Sequence, residues 1–184
     1  MAEETVNPPR WFDRRFELGL SPQAIAELLE RLRQTPDRLC NAVAELPTEV
    51  LTLRRADKWS IQENVGHLLD LEPLWDRRLD DYDAVAEVLH PADLENRKTH
   101  EANHNARSIA DLLEEFAAVR GQIVDRLAKT SAAELARTSL HPRLRQPMTV
   151  VDLCYFVAEH DDHHLRTIEE LKTGSGNGGS IENR

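Results

Sequence analysis

The sequence predicts an all-α protein, with four long helices in a four-helix bundle and short extra helices in the connections. Only 7 of the 184 residues are glycine. Leu, Ala, Glu and Arg are frequent, and there is little β-branched alternation of the kind that strands show. Apolar residues recur at helical spacing in the long segments, and a bundle is the simplest way to bury such faces together.

Helix 1 opens at Ser21, whose hydroxyl can cap the first turn. Pro22 follows Ser21 and is a residue suited to that turn. We expect the helix to extend to about residue 46. Pro36 should bend or split it, because a proline removes one backbone hydrogen bond. A linker over residues 47–59 then leads to helix 2.

Helix 2 opens at Ser60, and Glu63 follows three residues later, so the two side chains can satisfy each other's backbone amides in a capping box. We expect this helix over residues 61–79, with a kink at Pro73. The next stretch has a mixed pattern, in which residues 84–89 could form one short helix. Residues 91–105 are polar and are predicted to be a loop.

Helix 3 is predicted over residues 108–127, where a serine opens a continuous apolar stripe. A short helix should begin at Ser131, since a glutamate stands in the capping-box position. Helix 4 is predicted over residues 149–172, opening at a threonine with an aspartate three residues later. These boundaries are marked by side chains that can cap backbone amides.

The chain length of 184 residues suits one domain with a substantial hydrophobic core. We divide it into an N-terminal segment over residues 1–20, a helical domain over residues 21–172 and a glycine- and serine-rich tail over residues 173–184, which should be flexible. Cys40 and Cys154 lie far apart in segments predicted to be helical. This suits reduced thiols and predicts a cytoplasmic location.

The charge balance argues against two classes of partner. With 23 Lys+Arg against 33 Asp+Glu, the formal charge of -10 has the wrong sign for nucleic acid or an anionic membrane surface. No apolar run is long enough to span a bilayer, and the N-terminus lacks the pattern of a secretory signal. Trp11 and Phe12 could pack on a second subunit and so hint at a homodimer, although covering the chain's own core is their more ordinary role.

The sharpest chemical signal is the pair His160 and His164. Four residues are about one helical turn, so both imidazoles project from the same face and can ligate one divalent metal. That face is also the apolar face of helix 4, where buried imidazoles need partners. His100 and His104 have the same spacing but lie in a polar segment, so we expect them on the solvated surface.

A third ligand would strengthen the case for a metal, and His67 of helix 2 lies on a face that can turn inward. Three neutral imidazoles leave one coordination position open, which is typical of a catalytic zinc site. Taken alone, a single helical histidine is more often packed in the core. An open pocket at the site would favour catalysis, whereas ligands sealed under Trp59 and Trp75 would favour a structural role.

Two segments together resemble the DinB-like superfamily. Residues 58–72 place a Trp-Ser pair before helix 2 and a histidine on that helix, and residues 159–168 supply a His-x-x-x-His on the last helix. The resemblance implies a four-helix bundle and a divalent metal, usually zinc or nickel. It implies that the ligands are His67, His160 and His164.

The resemblance, which covers about residues 21–172, also implies classes of activity. Family members with known activities include S-transferases that use low-molecular-weight bacterial thiols and a thiol-dependent isomerase, and many others are described as metal-dependent hydrolases. We therefore expect a small-molecule substrate and, as the first hypothesis, a metal-dependent thiol S-transferase with the thiol as co-substrate. A hydrolase with a metal-activated water, and a non-catalytic binding or dimerisation module stapled by the metal, are the alternatives.

Four residues beside the predicted ligands could support them: Glu63, Asn64, Asp161 and His163. Adjacent acids on a helix more often form a solvated face, and His163 points away from the direction of His160, so it is more often a surface residue. A metalloprotease reading of the same segment is weaker, because Asp161 is one methylene shorter than the glutamate that such a motif requires. A di-iron reading is also weaker, because such a site would need two Glu-x-x-His motifs on separate predicted helices.

Overall fold

The computed structural model describes residues 10–56 and 58–174. Within them the α-helices are α1 (Ile25–Val43), α2 (Thr48–Leu51), α3 (Ile61–Asp83), α4 (Arg97–Glu101), α5 (Ile109–Leu127), α6 (Ala132–Leu135) and α7 (Val150–Thr173). Strands β1 (Thr138–Leu140) and β2 (Pro147–Thr149) form an antiparallel hairpin, and short 3₁₀ turns lie at Trp11–Asp13, Pro22–Ala24 and His104–Ala106. Most of the predicted flexible tail lies outside the described residues.

The four long helices α1, α3, α5 and α7 form a four-helix bundle, as the sequence predicts. Helices α1 and α3 each pack against both α5 and α7, so they occupy opposite corners. The interior contains two apolar clusters, one around Leu32, Trp75 and Phe156 and the other around Val65 and Phe116. In the described part of the chain, no helix has the length and apolarity that a membrane crossing requires.

A layer of buried polar side chains lies between the two apolar clusters. Arg120 of α5 is ion-paired there with Glu72 of α3 and Asp161 of α7, and Thr35 of α1 donates to Asp161 over 2.9 Å. Each of the four long helices therefore contributes one side chain. This layer sits at the same level of the bundle as the histidines singled out above, because Asp161 adjoins one of them in sequence.

Prolines do not interrupt the helices that contain them. Helix α1 continues through Pro36 and α3 continues through Pro73, so the expected break in helix 1 does not occur. Pro36 cannot donate to the carbonyl of Leu32 one turn earlier. That carbonyl instead lies 3.5 Å from Nη1 of Arg120, which donates to it from the buried polar layer.

The connections differ most from the sequence prediction. The expected short helix over residues 84–89 is wrong: α3 continues to Asp83, and the chain then pairs with the hairpin, where the amide of Leu89 donates to Leu140 over 3.0 Å. The linker after α1 contains α2, and the predicted loop over residues 91–105 contains α4. Hydrogen bonds to distant segments therefore decided the structure where local patterning was weak.

Candidate metal centre

Three histidines lie side by side within the bundle, one from α3 and two from α7. His67, His160 and His164 are each 4–7% exposed, and each offers a ligand atom within 4.8 Å of the others. The Nε2 atoms of His160 and His164 are 3.3 Å apart. The structure therefore brings together the three residues that the sequence singles out.

Asn64, one of the predicted supporting residues, orients His164. Its Oδ1 lies 2.8 Å from His164 Nδ1, and its amide nitrogen donates to the Ser60 carbonyl over 2.8 Å. The second bond fixes which end of the amide faces the imidazole. Because an amide oxygen only accepts, His164 donates through Nδ1 and keeps the lone pair of Nε2 available for a metal.

Sequence reasoning missed the residues that orient His67. Thr99 of α4 lies with Oγ1 3.0 Å from His67 Nδ1, and the same hydroxyl donates to Asp70 over 2.9 Å. A hydroxyl has one hydrogen, so Thr99 accepts from His67 Nδ1–H and leaves Nε2 of His67 unprotonated. An outer carboxylate acting through a hydroxyl thus holds the imidazole in the tautomer that can ligate.

The prediction that His104 is solvated is wrong, whereas His100 is exposed as expected. His104 is 2% exposed, and its Nε2 lies 2.8 Å from Asp70 Oδ2, so it donates to the carboxylate that supports Thr99. Its ring lies directly on Gly66, where any Cβ would overlap it. An isolated glycine inside a helical pattern often marks such a close approach, so Gly66 was the available signal.

Glu63 and Asp161, predicted as supporting residues, have other partners. Glu63 closes the capping box at the start of α3 and is ion-paired with Arg54. Asp161 is 1% exposed and belongs to the buried polar layer with Arg120, so it is not part of a solvated face. Both residues position the helices that carry the histidines, and neither hydrogen-bonds to a ligand candidate within the described residues.

The three histidines open onto a cavity of about 490 Å³, and His163 also lines it. Aromatic rings form the walls of the cavity near the site. The ring centroid of Trp59 lies 4.6 Å from that of His67, and the ring centroids of Trp11 and Trp75 lie 4.9 and 6.0 Å from that of His160. Trp11 therefore covers the chain's own core. The tryptophans border the histidines, and all three histidines still line the cavity.

Burial keeps all three imidazoles neutral. Desolvation lowers the pKa of His67 to about 3 and, together with the neighbouring imidazoles, holds the pKa values of His160 and His164 well below the ordinary value. Nδ1 of His160 is buried with no hydrogen-bond partner among the described residues. Three neutral nitrogen donors that converge at the wall of a cavity fit a divalent metal.

These lowered pKa values predict a pH dependence of stability for the metal-free protein. Each buried histidine binds a proton more readily in the unfolded chain, so stability is full above the unfolded pKa of 6.5 and falls below it. Urea denaturation at about pH 7.5 and about pH 5.5 should show a clearly lower midpoint in acid. An unchanged midpoint would contradict the assignment of neutral, buried imidazoles.

The fold and the site together define a class of protein, a four-helix bundle with a group of three histidines that could bind a metal. The chain belongs to the DinB superfamily, whose sequence profile matches residues 5–168. No curated protein matches the chain.

Two solved structures show the same fold. YfiT from Bacillus subtilis, described as a probable metal-dependent hydrolase with an unusual four-helix bundle topology, is 19% identical with a TM-score of 0.75. The match covers 89% of this chain and 94% of that one. A protein from Streptococcus pneumoniae is 14% identical, with a TM-score of 0.63 and coverage of 87% and 93%.

Proposed function

We propose that this protein is a metal-dependent enzyme that transfers a low-molecular-weight thiol to an electrophilic small molecule. Its zinc or nickel ion would be bound by His67, His160 and His164. The observation that carries the proposal is the convergence of three neutral imidazoles at the wall of a cavity large enough for organic substrates. Three protein ligands leave a coordination position for a reactant, whereas a structural site has four.

The chain's own residues prepare the site for this chemistry. Asn64 and Thr99 hold two of the imidazoles as Nδ1–H tautomers, so the Nε2 lone pairs face inward. A divalent metal bound there would lower the pKa of a thiol or of a water that takes the remaining position. The tryptophan walls limit the access of bulk water, which strengthens electrostatic interactions within the site.

The distribution of carboxylates favours a thiol over water as the nucleophile. The carboxylates that line the cavity are Asp13 and Asp93, and both are exposed. Among the described residues, none of the carboxylates hydrogen-bonds directly to the three histidines. A thiol has an unperturbed pKa of about 8.5 and loses its proton far more readily than water, so it depends less on a general base.

Hydrolysis is the second candidate. It is supported by the shared fold of YfiT, which is described as a probable metal-dependent hydrolase. One experiment separates the two reactions. The protein, purified without a histidine tag and loaded with zinc or nickel, is incubated with an electrophilic acceptor and each of several bacterial thiols. We expect acceptor loss that saturates with one thiol. Turnover that needs the metal but no thiol would identify a hydrolase, and no turnover with full metal occupancy would favour a binding module.

Asp70 should influence metal affinity without touching the metal. Hydrogen bonds from His104 and Thr99 outweigh the effect of burial and hold the pKa of Asp70 below its usual value, so it is a charged acceptor. Asp70→Asn should weaken metal binding by about tenfold or more, as losses of outer partners do. Competition with a chromogenic chelator measures this. Asp76→Asn, a change at an exposed position of the same helix, should bind metal as the unmodified protein does. Equal metal affinities in the two variants would contradict a role of Asp70 that acts through Thr99 on His67.

A further inference from the structure

The cavity that the three histidines line is also lined by a second cluster of polar side chains. Arg78 of α3, together with His141 and Arg143 of the turn between β1 and β2, lies there. His67 and Arg78 are eleven residues apart on one helix, which corresponds to a rise of roughly 16 Å. Trp75 and Phe156 lie between the two groups, with ring centroids 6.2 Å apart. One cavity therefore joins a cationic cluster to the histidine site.

Arg78 is a buried cation that has no carboxylate ion-pair partner in the described part of the chain. It is 1% exposed, its Nε donates to the His90 carbonyl over 3.0 Å, and its Nη1 lies 3.2 Å from His141 Nε2. Desolvation lowers the pKa of Arg78 to about 10, yet the group stays protonated at neutral pH. Buried charges are ordinarily paired, so a guanidinium in this state lacks an expected anion.

Arg143 and His141 add donors that the described residues do not satisfy. Nη2 of Arg143 is buried with no hydrogen-bond partner there, and its guanidinium lies 5.1 Å from the ring centroid of Phe12. His141 accepts from the amide of Leu144 at Nδ1 over 3.1 Å, while Nε2 faces Arg78. A neutral imidazole accepts at one nitrogen only, so both nitrogens cannot be satisfied by donors. Donors exceed acceptors throughout this cluster.

We propose that Arg78 and Arg143 bind the carboxylate of an organic acid whose apolar body lies along Trp75 and Phe156 and reaches the three histidines. This deepens the proposed function, on which it rests for the reaction, by naming the substrate as an amphipathic carboxylic acid. Guanidinium forks bind carboxylates with two parallel hydrogen bonds, and the low dielectric of the cavity strengthens such bonds. An anion would also supply the acceptors that the cluster lacks.

A carboxylate suits the site better than a phosphate monoester. Both groups bind to arginine forks, but a phosphate monoester carries close to two negative charges at neutral pH. Asp13 and Asp93 line the same cavity and would repel the second charge. The chain as a whole has a formal charge of -10, which adds to that repulsion.

Calorimetric titration of the metal-free full-length protein with phenylbutyrate and its analogues tests the proposal. We expect phenylbutyrate to bind about tenfold more tightly than phenylbutanol, because it adds charge-assisted hydrogen bonds. Arg143→Met should remove most of that difference, whereas Arg33→Met, which deletes an exposed arginine far from the cavity, should not. Arg143→Met should also leave the melting temperature unchanged or raised, since the guanidinium nitrogen that it removes is buried without a partner.

Three results would overturn the inference: equal binding of the acid and the alcohol, normal affinity in Arg143→Met, or tighter binding of phenylbutyl phosphate than of phenylbutyrate. The titration needs neither metal nor turnover, so its outcome is separate from that of the proposed function. Selective carboxylate binding by a protein that never retains metal would refute the proposed enzyme and leave the anion site standing. Metal-dependent turnover without carboxylate selectivity would do the reverse.

Discussion

His160→Ala is expected to abolish stoichiometric retention of zinc or nickel. The change leaves two imidazoles, and the affinity should fall by more than the roughly 10–100-fold that loss of an outer partner costs. Nδ1 of His160 has no hydrogen-bond partner among the described residues, and its Nε2 contacts only Nε2 of His164 there, so truncation leaves the other hydrogen bonds of the bundle intact. Elemental analysis of protein purified without a histidine tag, after dialysis against a weak chelator, measures the effect.

His163→Ala is the matched control for that experiment. His163 lies on the same helix and lines the same cavity, but it is outside the group whose ligand atoms lie within 4.8 Å of one another. The His163→Ala protein should therefore retain metal at the level of the unmodified protein. If the His160→Ala protein still contains one metal ion per chain, the proposed ligand set is wrong.

The parts of the fold that local sequence could predict are those fixed by local side chains. Ser60, Ser131 and Thr149 each form the capping box that the sequence indicates, so the starts of three helices are predictable. Periodic apolar residues then predict which faces turn inward. The spacing of His160 and His164 likewise translates directly into a shared direction, because helix geometry determines it.

The contacts that support His67 were beyond prediction because they come from a segment distant in sequence, whereas Asn64 adjoins the motif that singles out His67. Thr99 and His104 come from a polar stretch whose own pattern indicates a surface loop, yet Asp70 and Gly66 of α3 hold both of them in the interior. The predicted helix over residues 84–89 is wrong for the same reason, since the partner of this segment is the hairpin near Leu140. Local propensity is weak evidence wherever a distant backbone provides the hydrogen bonds.

The cluster of Arg78, His141 and Arg143 shows a related limit of prediction from sequence. Arg143 lies in a proline-containing turn, and arginines in such turns ordinarily decorate a solvated loop. Pairing of β1 with β2 instead folds this turn onto the cavity wall, close to Phe12 and Phe156. The hydroxyl of Tyr82 donates to the Met148 carbonyl over 2.9 Å and so links the hairpin to α3. Only the assembled fold reveals a cation at the cavity wall whose Nη2 has no hydrogen-bond partner within residues 10–56 and 58–174.

Arg120→Met is expected to lower the free energy of unfolding by about 3–5 kcal/mol, the cost of leaving buried charges without their partner. Arg120 donates to both carboxylate oxygens of Glu72, over 3.0 and 2.6 Å, and it is ion-paired with Asp161. All three side chains are at most 2% exposed, so water cannot replace the guanidinium. Urea denaturation at neutral pH measures the loss.

Arg126, a half-buried arginine of the same helix whose partners face solvent, provides the control. Arg126 is ion-paired with Asp76, Asp80 and Asp83, all partly or fully exposed to solvent. Surface ion pairs contribute about 0–1 kcal/mol each, and solvent replaces them readily. Arg126→Met should therefore destabilise much less than Arg120→Met. Equal losses would show that the number of ion pairs, and not their burial, determines the effect.

The pH dependence of the Arg120→Met deficit identifies its cause. Burial already raises the pKa of Glu72 above its usual value, with Arg120 opposing the shift. Without Arg120 this folded-state pKa should rise further, so the deficit is full above it and shrinks as the pH falls and the carboxyl group takes up a proton. Replacing Glu72 and Asp161 by leucine in the same variant should restore much of the stability at neutral pH, because a buried ion network can be exchanged for apolar packing at little cost. A loss of stability that stays constant with pH and persists in the triple variant would instead identify lost packing as the cause. The buried polar layer would then stabilise the bundle through the volume that its side chains fill.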